Sequence, residues 1–305
     1  MPAEESAVEI DGPWTHRYVN ANGNRFHLAE AGSGPLVLLL HGFPEFWWAW
    51  RHQLTGLADA GYRAVAVDLR GYGASDKPPR GYDPFTLAAD VAGMVRALGE
   101  HDAVIAGHDW GGLLAWTVAT FHPRVVRRLA VLSMPHPIRL RTMVAADREQ
   151  RRAGRQILAA QAPGHAEDAL VEDDGAAVAR LLSDRAGPTW RGRADYPAAV
   201  RTYREAMLIP GVAHCAVEYD RWLGRSLIRP SGWRYFRLMA EPVMVPTLHL
   251  HGAGDRYLLP RSAQGSGRYV AAAYEWRALT AAAHFPHEES PEQVTAELVR
   301  WAKGE

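Results

Sequence analysis

Gly107-His108-Asp109-Trp110-Gly111 sets a carboxylate at the centre of a Gly-x-x-x-Gly frame. Such a frame suits a tight strand-to-helix turn, where small residues are needed because backbones crowd. The central side chain is then lifted off the sheet. An aspartate has a reference pKa of about 3.9, so it is anionic at neutral pH and needs no base before it attacks an electrophile. A serine at the same place would need one. The N–H of Trp110 falls at the start of the following helix and is aimed at developing negative charge. The N–H of Phe43, in the loop after Leu38-Leu39-Leu40-His41-Gly42, supplies a second donor. A covalent adduct on Asp109 must then be cleared by a base held by an acid. Asp255 follows the apolar run Thr247–Gly252, and His284 lies in Ala283-His284-Phe285-Pro286-His287. Alone, Asp255 reads as a turn cap and His284 as a surface histidine. Together they give the chain order nucleophile, acid, histidine.

His284 and His287 have His-x-x-His spacing, but no third ligand is evident, so neither a metal nor a cofactor is expected. His41 and His108 are expected to orient loops beside the site. Aromatic residues are dense before the motif: Phe43, Phe46, Trp47, Trp48 and Trp50, with Trp110 inside it. Some of these, with Trp47 and the side chain of His108 among the candidates, are expected to line an apolar substrate pocket, and the others to fill the core.

The elements that must hold these residues are legible as apolar runs. Residues 35–40, 62–69, 102–107, 129–135 and 245–252 are continuous rather than alternating, which predicts strands covered on both faces. Helical patterns lie between them, over 85–98 and 111–120. This alternation predicts an α/β fold with a mainly parallel sheet. Between about 137 and 240 the strand rhythm stops. There, 141–161, 173–187 and a segment entered at Pro197 read as helices, whose basic residues form a solvated face. The organisation expected is an α/β core over 1–136 and 241–305, interrupted by a helical cap over 137–240. A last helix over 291–303 starts at Ser290 and Pro291, an N-cap and first-turn pair.

The 305 residues suffice for a full core, and 34 basic residues balance 34 acidic ones. That balance argues against a long-range field for nucleic acid or anionic lipid. The acidic start lacks the features of a signal peptide, and no apolar run is long enough to span a bilayer. Cys215 is the only cysteine, so no intrachain disulfide forms and a reducing compartment fits. The expected location is the cytoplasm.

The blocks HGFPEFWWAWRHQL, DLRGYGASDKP, GHDWGG, HGAGD and HFPHEESPEQV resemble, in order, those of the epoxide hydrolases of the α/β-hydrolase fold. The resemblance covers roughly residues 13 to 303. It implies that Asp109 attacks an epoxide carbon to form an alkyl ester, with a small apolar epoxide and water as reactants. His284, held by Asp255, then activates the water that releases a diol, while Phe43 and Trp110 hold the oxyanion. It also implies two cap tyrosines that protonate the epoxide oxygen. TYREAM resembles the second tyrosine block and makes Tyr203 the candidate donor. At the first, the block ending Gln161-Ala162-Pro163-Gly164 puts Gln156 where the tyrosine is expected. An amide donates a hydrogen bond but gives up no useful proton. Tyr196, Tyr219, His165 and His214 are the other cap groups that could serve. Ala283 stands where the family commonly has glycine.

Two other functions fit part of the pattern. A haloalkane dehalogenase shares the aspartate turn but usually carries Asn at the position of Phe43. A fluoroacetate-type enzyme wants arginines after the aspartate, where Trp110, Leu113 and Leu114 stand here. A ligand-binding protein on the same fold needs no intact triad.

Overall fold

The computed structural model describes residues 3–162 and 164–304. Eight strands form one sheet: β1 (Thr15–Ala21), β2 (Asn24–Ala31), β3 (Leu36–Leu40), β4 (Arg63–Val67), β5 (Ala103–His108), β6 (Val126–Leu132), β7 (Thr247–Gly252) and β8 (Tyr274–Leu279). Their spatial order is β1-β2-β4-β3-β5-β6-β7-β8. β1 and β2 pair antiparallel, as do β2 and β4, and every other pairing is parallel. All residues of β3, β5 and β7 are buried, because helices cover both faces of the sheet centre.

The β1–β2 hairpin and β8 were not anticipated from the apolar runs. Asn22-Gly23 turns the hairpin with positive φ at both residues, the backbone that two-residue hairpin loops require. β1 alternates exposed and buried positions only in part, and β8 is mostly half-exposed at the sheet edge, so neither reads as a continuous apolar run.

Helices α1 (Arg51–Asp59), α2 (Pro84–Ala97) and α3 (Asp109–Phe121) follow β3, β4 and β5. α2 begins where the Asp83 carboxylate accepts from the N–H groups of Phe85 and Thr86, with Pro84 in its first turn. Between β6 and β7 come α4 (Pro137–Ala146), α5 (Arg148–Ala153), α6 (Gln156–Ala159), α7 (His165–Arg185), α8 (Pro188–Arg191), α9 (Tyr196–Met207), α10 (Val212–Ser226) and α11 (Pro230–Leu238). No strand interrupts them among the described residues. α12 (Pro260–Ala263), α13 (Pro286–Glu289) and α14 (Pro291–Lys303) complete the chain.

Two expected helices differ in detail. The span 141–161 is broken in two places. Asp147 leaves helical geometry to cap α5 through the N–H groups of Glu149 and Gln150, and Gly154 then ends that helix. α7 is interrupted at Glu172–Gly175, where Asp173, Asp174 and Gly175 take positive φ. α14 starts as expected at Pro291, but the Ser290 side chain makes no capping bond.

The topology gathers the chemistry. Phe43, Asp109, Asp255 and His284 lie beyond the carboxyl ends of β3, β5, β7 and β8, on one rim of the sheet. Ligands of open parallel sheets bind at this rim.

Candidate active site

Asp109 joins β5 to α3 with φ +47°, a left-handed conformation that a non-glycine residue rarely adopts. The turn is tight enough to exclude side chains at its flanks. A Cβ on Gly107 would meet the Gly111 carbonyl oxygen at 2.1 Å, and one on Gly111 would meet the Leu40 carbonyl oxygen at 2.2 Å. Gly42 is equally constrained, since a Cβ there would lie 2.5 Å from the Asp109 Cβ. The loop after β3 therefore comes against Asp109. The Phe43 N–H donates to Asp109 Oδ2 at 3.1 Å. The Trp110 N–H lies in the first turn of α3, among the donors that lack an intrahelical partner.

His284 stands between two carboxylates. Its Nδ1 bonds Asp255 Oδ2 at 2.9 Å, and its Nε2 lies 3.6 Å from Asp109 Oδ1. Asp255 is fixed in turn by the N–H groups of Tyr257 (2.8 Å) and Leu258 (3.0 Å) on its other oxygen. Burial disfavours both carboxylates, yet the facing His284 outweighs it and holds Asp109 and Asp255 below their ordinary values. Burial also disfavours the imidazolium, but Asp255 and Asp109 together push His284 up to about 9.

Beneath this triad lies a second buried network. Glu45 Oε2 bonds His108 Nδ1 at 2.8 Å and accepts from the Gly42 N–H at 3.0 Å, while Oε1 bonds His287 Nε2 at 2.9 Å. His108 Nε2 then reaches the His284 carbonyl at 2.7 Å. Glu45, His108 and His287 bring possible ligand atoms within 4.8 Å of one another. The Glu45 oxygens and the histidine nitrogens facing them are already joined in these hydrogen bonds. His108 is thus fully buried with both ring nitrogens bonded, tying Glu45 to the His284 backbone rather than lining a pocket. His41 bridges the Gly42 carbonyl (2.8 Å) and the Leu69 N–H (3.1 Å). Glu45 was missed in the sequence, although a lone carboxylate inside the aromatic run Phe43–Trp50 was a signal.

Tyr203 does not occupy the place expected for it. Its hydroxyl donates to Glu288 Oε1, and its ring packs on Phe46 at 6.0 Å and Trp48 at 5.8 Å. Glu288 already pairs with Arg51 through bonds of 2.6 and 2.7 Å, and the tyrosine completes that buried ion pair. Trp47 is also displaced from the expected pocket. It is fully buried, its indole N–H donates to the Val8 carbonyl at 2.7 Å, and it packs against Trp14 and His16. Among the other cap groups, Tyr219 donates to the Arg70 carbonyl at 2.8 Å. His165 and His214 are exposed, and Tyr196 packs on Trp190.

Different groups face Asp109. Arg185, at the end of α7, accepts the His284 N–H on its carbonyl at 3.2 Å and lays its guanidinium over the Tyr257 ring at 3.7 Å. Its Nη2 donates to Gln156 Oε1, and Gln156 Nε2 donates to the Tyr257 hydroxyl at 2.8 Å. Gln156 thus holds an arginine and a tyrosine beside the triad, with the Tyr257 ring edge-on to His284 at 5.1 Å. Pro163 of the block used to locate Gln156 lies outside the described residues. Beside these groups a cavity of about 220 Å³ is lined by Ala153, Gln156, Leu181, Asp184, Arg185, Arg256 and Tyr257. Asp220, on α10, carries an Oδ1 that is buried without a hydrogen-bond partner.

An aspartate on a strand-to-helix turn, a histidine bonded to a second aspartate and a backbone N–H donor thus meet at one point, an arrangement suited to a hydrolase. The α/beta-hydrolase-fold family model matches residues 35–291, and the chain belongs to that family, on its epoxide hydrolase branch. Epoxide hydrolase 3 of Xenopus tropicalis is 33% identical over 92% of this chain and 75% of its own length. Epoxide hydrolase A of Mycobacterium tuberculosis is 30% identical over 96% of this chain and 98% of its own. The solved structure of a Bacillus megaterium epoxide hydrolase in complex with an inhibitor superposes with a TM-score of 0.82. That match has 28% identity and covers 92% of this chain and 98% of that one.

Proposed function

We propose that this protein hydrolyses epoxides to vicinal diols through an ester on Asp109. The observation that carries the reading is the position of His284, bonded to Asp255 and facing Asp109 across 3.6 Å. An anionic Asp109 attacks a saturated carbon of the epoxide. While Asp109 keeps its charge, His284 is held protonated and cannot act as a base. Ester formation removes that charge, lowers the affinity of His284 for its proton and frees it to activate water. The water attacks the Asp109 carbonyl carbon, and the oxyanion is held by the N–H groups of Phe43 and Trp110. Asp255 orients the imidazole throughout.

The helices between β6 and β7 act as the cap over this site, supplying Gln156, Arg185 and Asp220 to it. No helix among the described residues is long and apolar enough to cross a membrane. A cytoplasmic location is in keeping with the reduced Cys215.

The reading is tested with His284→Gln, which removes the base and leaves the nucleophile. Incubated with styrene oxide, this variant accumulates an adduct on Asp109 by intact mass and peptide mapping. A folded variant that gains no adduct across a broad epoxide panel overturns the reading. Bromide released from 1-bromobutane by the native enzyme, with no diol from styrene oxide, makes the protein a dehalogenase instead.

A further inference from the structure

Opening an epoxide leaves an alkoxide that must be protonated, and the tyrosine expected for this task is bonded to Glu288. A donor must instead come from polar atoms near Asp109 that have no partner. Three stand out: the Tyr72 hydroxyl, Arg185 Nη1 and Asp220 Oδ1, all buried and unpaired among the described residues. Arginine stays protonated and gives up no proton. Burial raises the Tyr72 hydroxyl well above its ordinary value, with Asp220 and Asp109 raising it further, which makes it a reluctant acid.

Asp220 is held in place by its neighbour. Tyr219 packs on Trp110, the residue after the nucleophile, at 5.5 Å and on Tyr72 at 5.7 Å, with its hydroxyl anchored to the Arg70 carbonyl. α10 is pressed against the same loop, since a Cβ on Gly71 would meet the Cys215 Cβ at 2.4 Å. These contacts fix the segment that carries Asp220 beside Trp110 and Asp109. We propose that Asp220, as the neutral carboxylic acid, donates the proton to the epoxide oxygen, with the Arg185 guanidinium beside it to stabilise the charge that develops there. This inference rests on the epoxide reading and replaces the tyrosine that the sequence resemblance implied.

The electrostatics agree with this geometry. Burial and the Asp109 charge raise Asp220 to about 7, against the pull of Arg185 and the Trp110 side chain. An acid near neutrality combines a substantial protonated fraction with a real driving force for transfer. The balance closes. Asp109 forms the C–O bond as the epoxide C–O bond breaks, and the freed electron pair takes the Asp220 proton. Once Asp109 is esterified, His284 sheds its resting proton to solvent, and in the second step it takes one proton from water and returns it to the departing diol oxygen. It regains its resting proton from solvent when Asp109 is anionic again. The other water proton is left on the Asp109 carboxyl and is passed through solvent to recharge Asp220.

The test compares native enzyme with Asp220→Asn and Asp220→Glu, following ester formation by rapid quench and intact mass across pH 5 to 9. Native enzyme should lose alkylation rate as pH rises through about 7. Asp220→Asn should alkylate at least about 100-fold more slowly, the low end of general-acid effects, and lose that limb. Asp220→Glu should keep a limb. Thermal melts establish that each variant is folded. A folded Asn variant that alkylates at the native rate, or that keeps the native limb, overturns the assignment while leaving the epoxide reading intact. Loss of alkylation in Tyr72→Phe or Tyr257→Phe with Asp220→Asn unaffected overturns it in favour of that hydroxyl. Native enzyme that forms no ester with any epoxide defeats both readings.

Discussion

The Nε2 atom of His284 lies 3.6 Å from Oδ1 of Asp109, so the base proposed for the second step is paired with the nucleophile proposed for the first. Against burial, His284 holds Asp109 below its ordinary value, while Asp255 and Asp109 together hold His284 up at about 9. The pair is a switch thrown by the chemistry, because esterification neutralises one member.

Replacing Asp109 with Asn imitates the neutral ester. In Asp109→Asn the His284 pKa should fall by roughly 1–3 units, the scale of a close opposite charge. Imidazole NMR across pH 5 to 10 measures it, and an unchanged value would remove Asp109 from the coupling. The sign carries over to stability. A histidine raised from 6.5 to about 9 stabilises the fold fully below 6.5, and that contribution is lost as pH rises through about 9. Native melting temperature should therefore drop over this window by more than that of Asp109→Asn.

Gly42→Ala tests the close approach of the loop after β3. Its new Cβ would sit 2.5 Å from the Asp109 Cβ and 3.0 Å from His108 Nδ1, so the loop must retreat. The Phe43 N–H then leaves its position on Asp109. Turnover should fall about 100-fold or more, the effect of losing one oxyanion donor. A variant with native kcat would show that the loop can shift without cost.

Tyr203→Phe separates the sequence expectation from the structure. A proton donor would cost at least about 100-fold in turnover on removal. The hydroxyl instead serves a buried ion pair, so its loss should cost about 1–3 kcal/mol of stability and leave kcat within about twofold. Chemical denaturation and steady-state kinetics on the same sample decide between the two.

What the sequence revealed depended on how local the signal was. β3, β5 and β7 were legible because strands covered on both faces read as unbroken apolar runs. The hairpin escaped notice because β1 is largely exposed and the buried run of β2 is broken by polar His27 and Glu30, though Asn22-Gly23 marks its turn. Asp109, Asp255 and His284 could be singled out because each follows a structural landmark in a fixed chain order, and the structure brings the three side chains together. The cap resisted the same treatment. Tyr203 and Asp220 lie 17 residues apart on different helices, and nothing in TYREAM or EYDRW states which faces the nucleophile. Side-chain direction there depends on how α9 and α10 pack. Arg185 is placed by a backbone bond to His284, a contact between positions 99 apart in the chain.

Glu45→Gln probes the support under the triad. Glu45 serves three groups at once: the Gly42 N–H, His108 and His287. Burial opposes its charge, but His108 and His287 outweigh that and hold it well below the usual carboxylate range. An amide has one acceptor oxygen, and its NH2 would face a group that now receives a carboxylate oxygen. At least one buried polar contact is left unmet, at a cost of about 1–3 kcal/mol. The kinetic consequence follows from connectivity. Through Gly42 the residue sets the loop that offers the Phe43 N–H, and through His108 it sets the His284 backbone. Both ester formation and ester hydrolysis should therefore slow, unlike Asp220→Asn, which should slow only the first. Single-turnover rates of the two steps distinguish them, and a Glu45→Gln enzyme impaired in stability alone would show that the triad holds its geometry without this support.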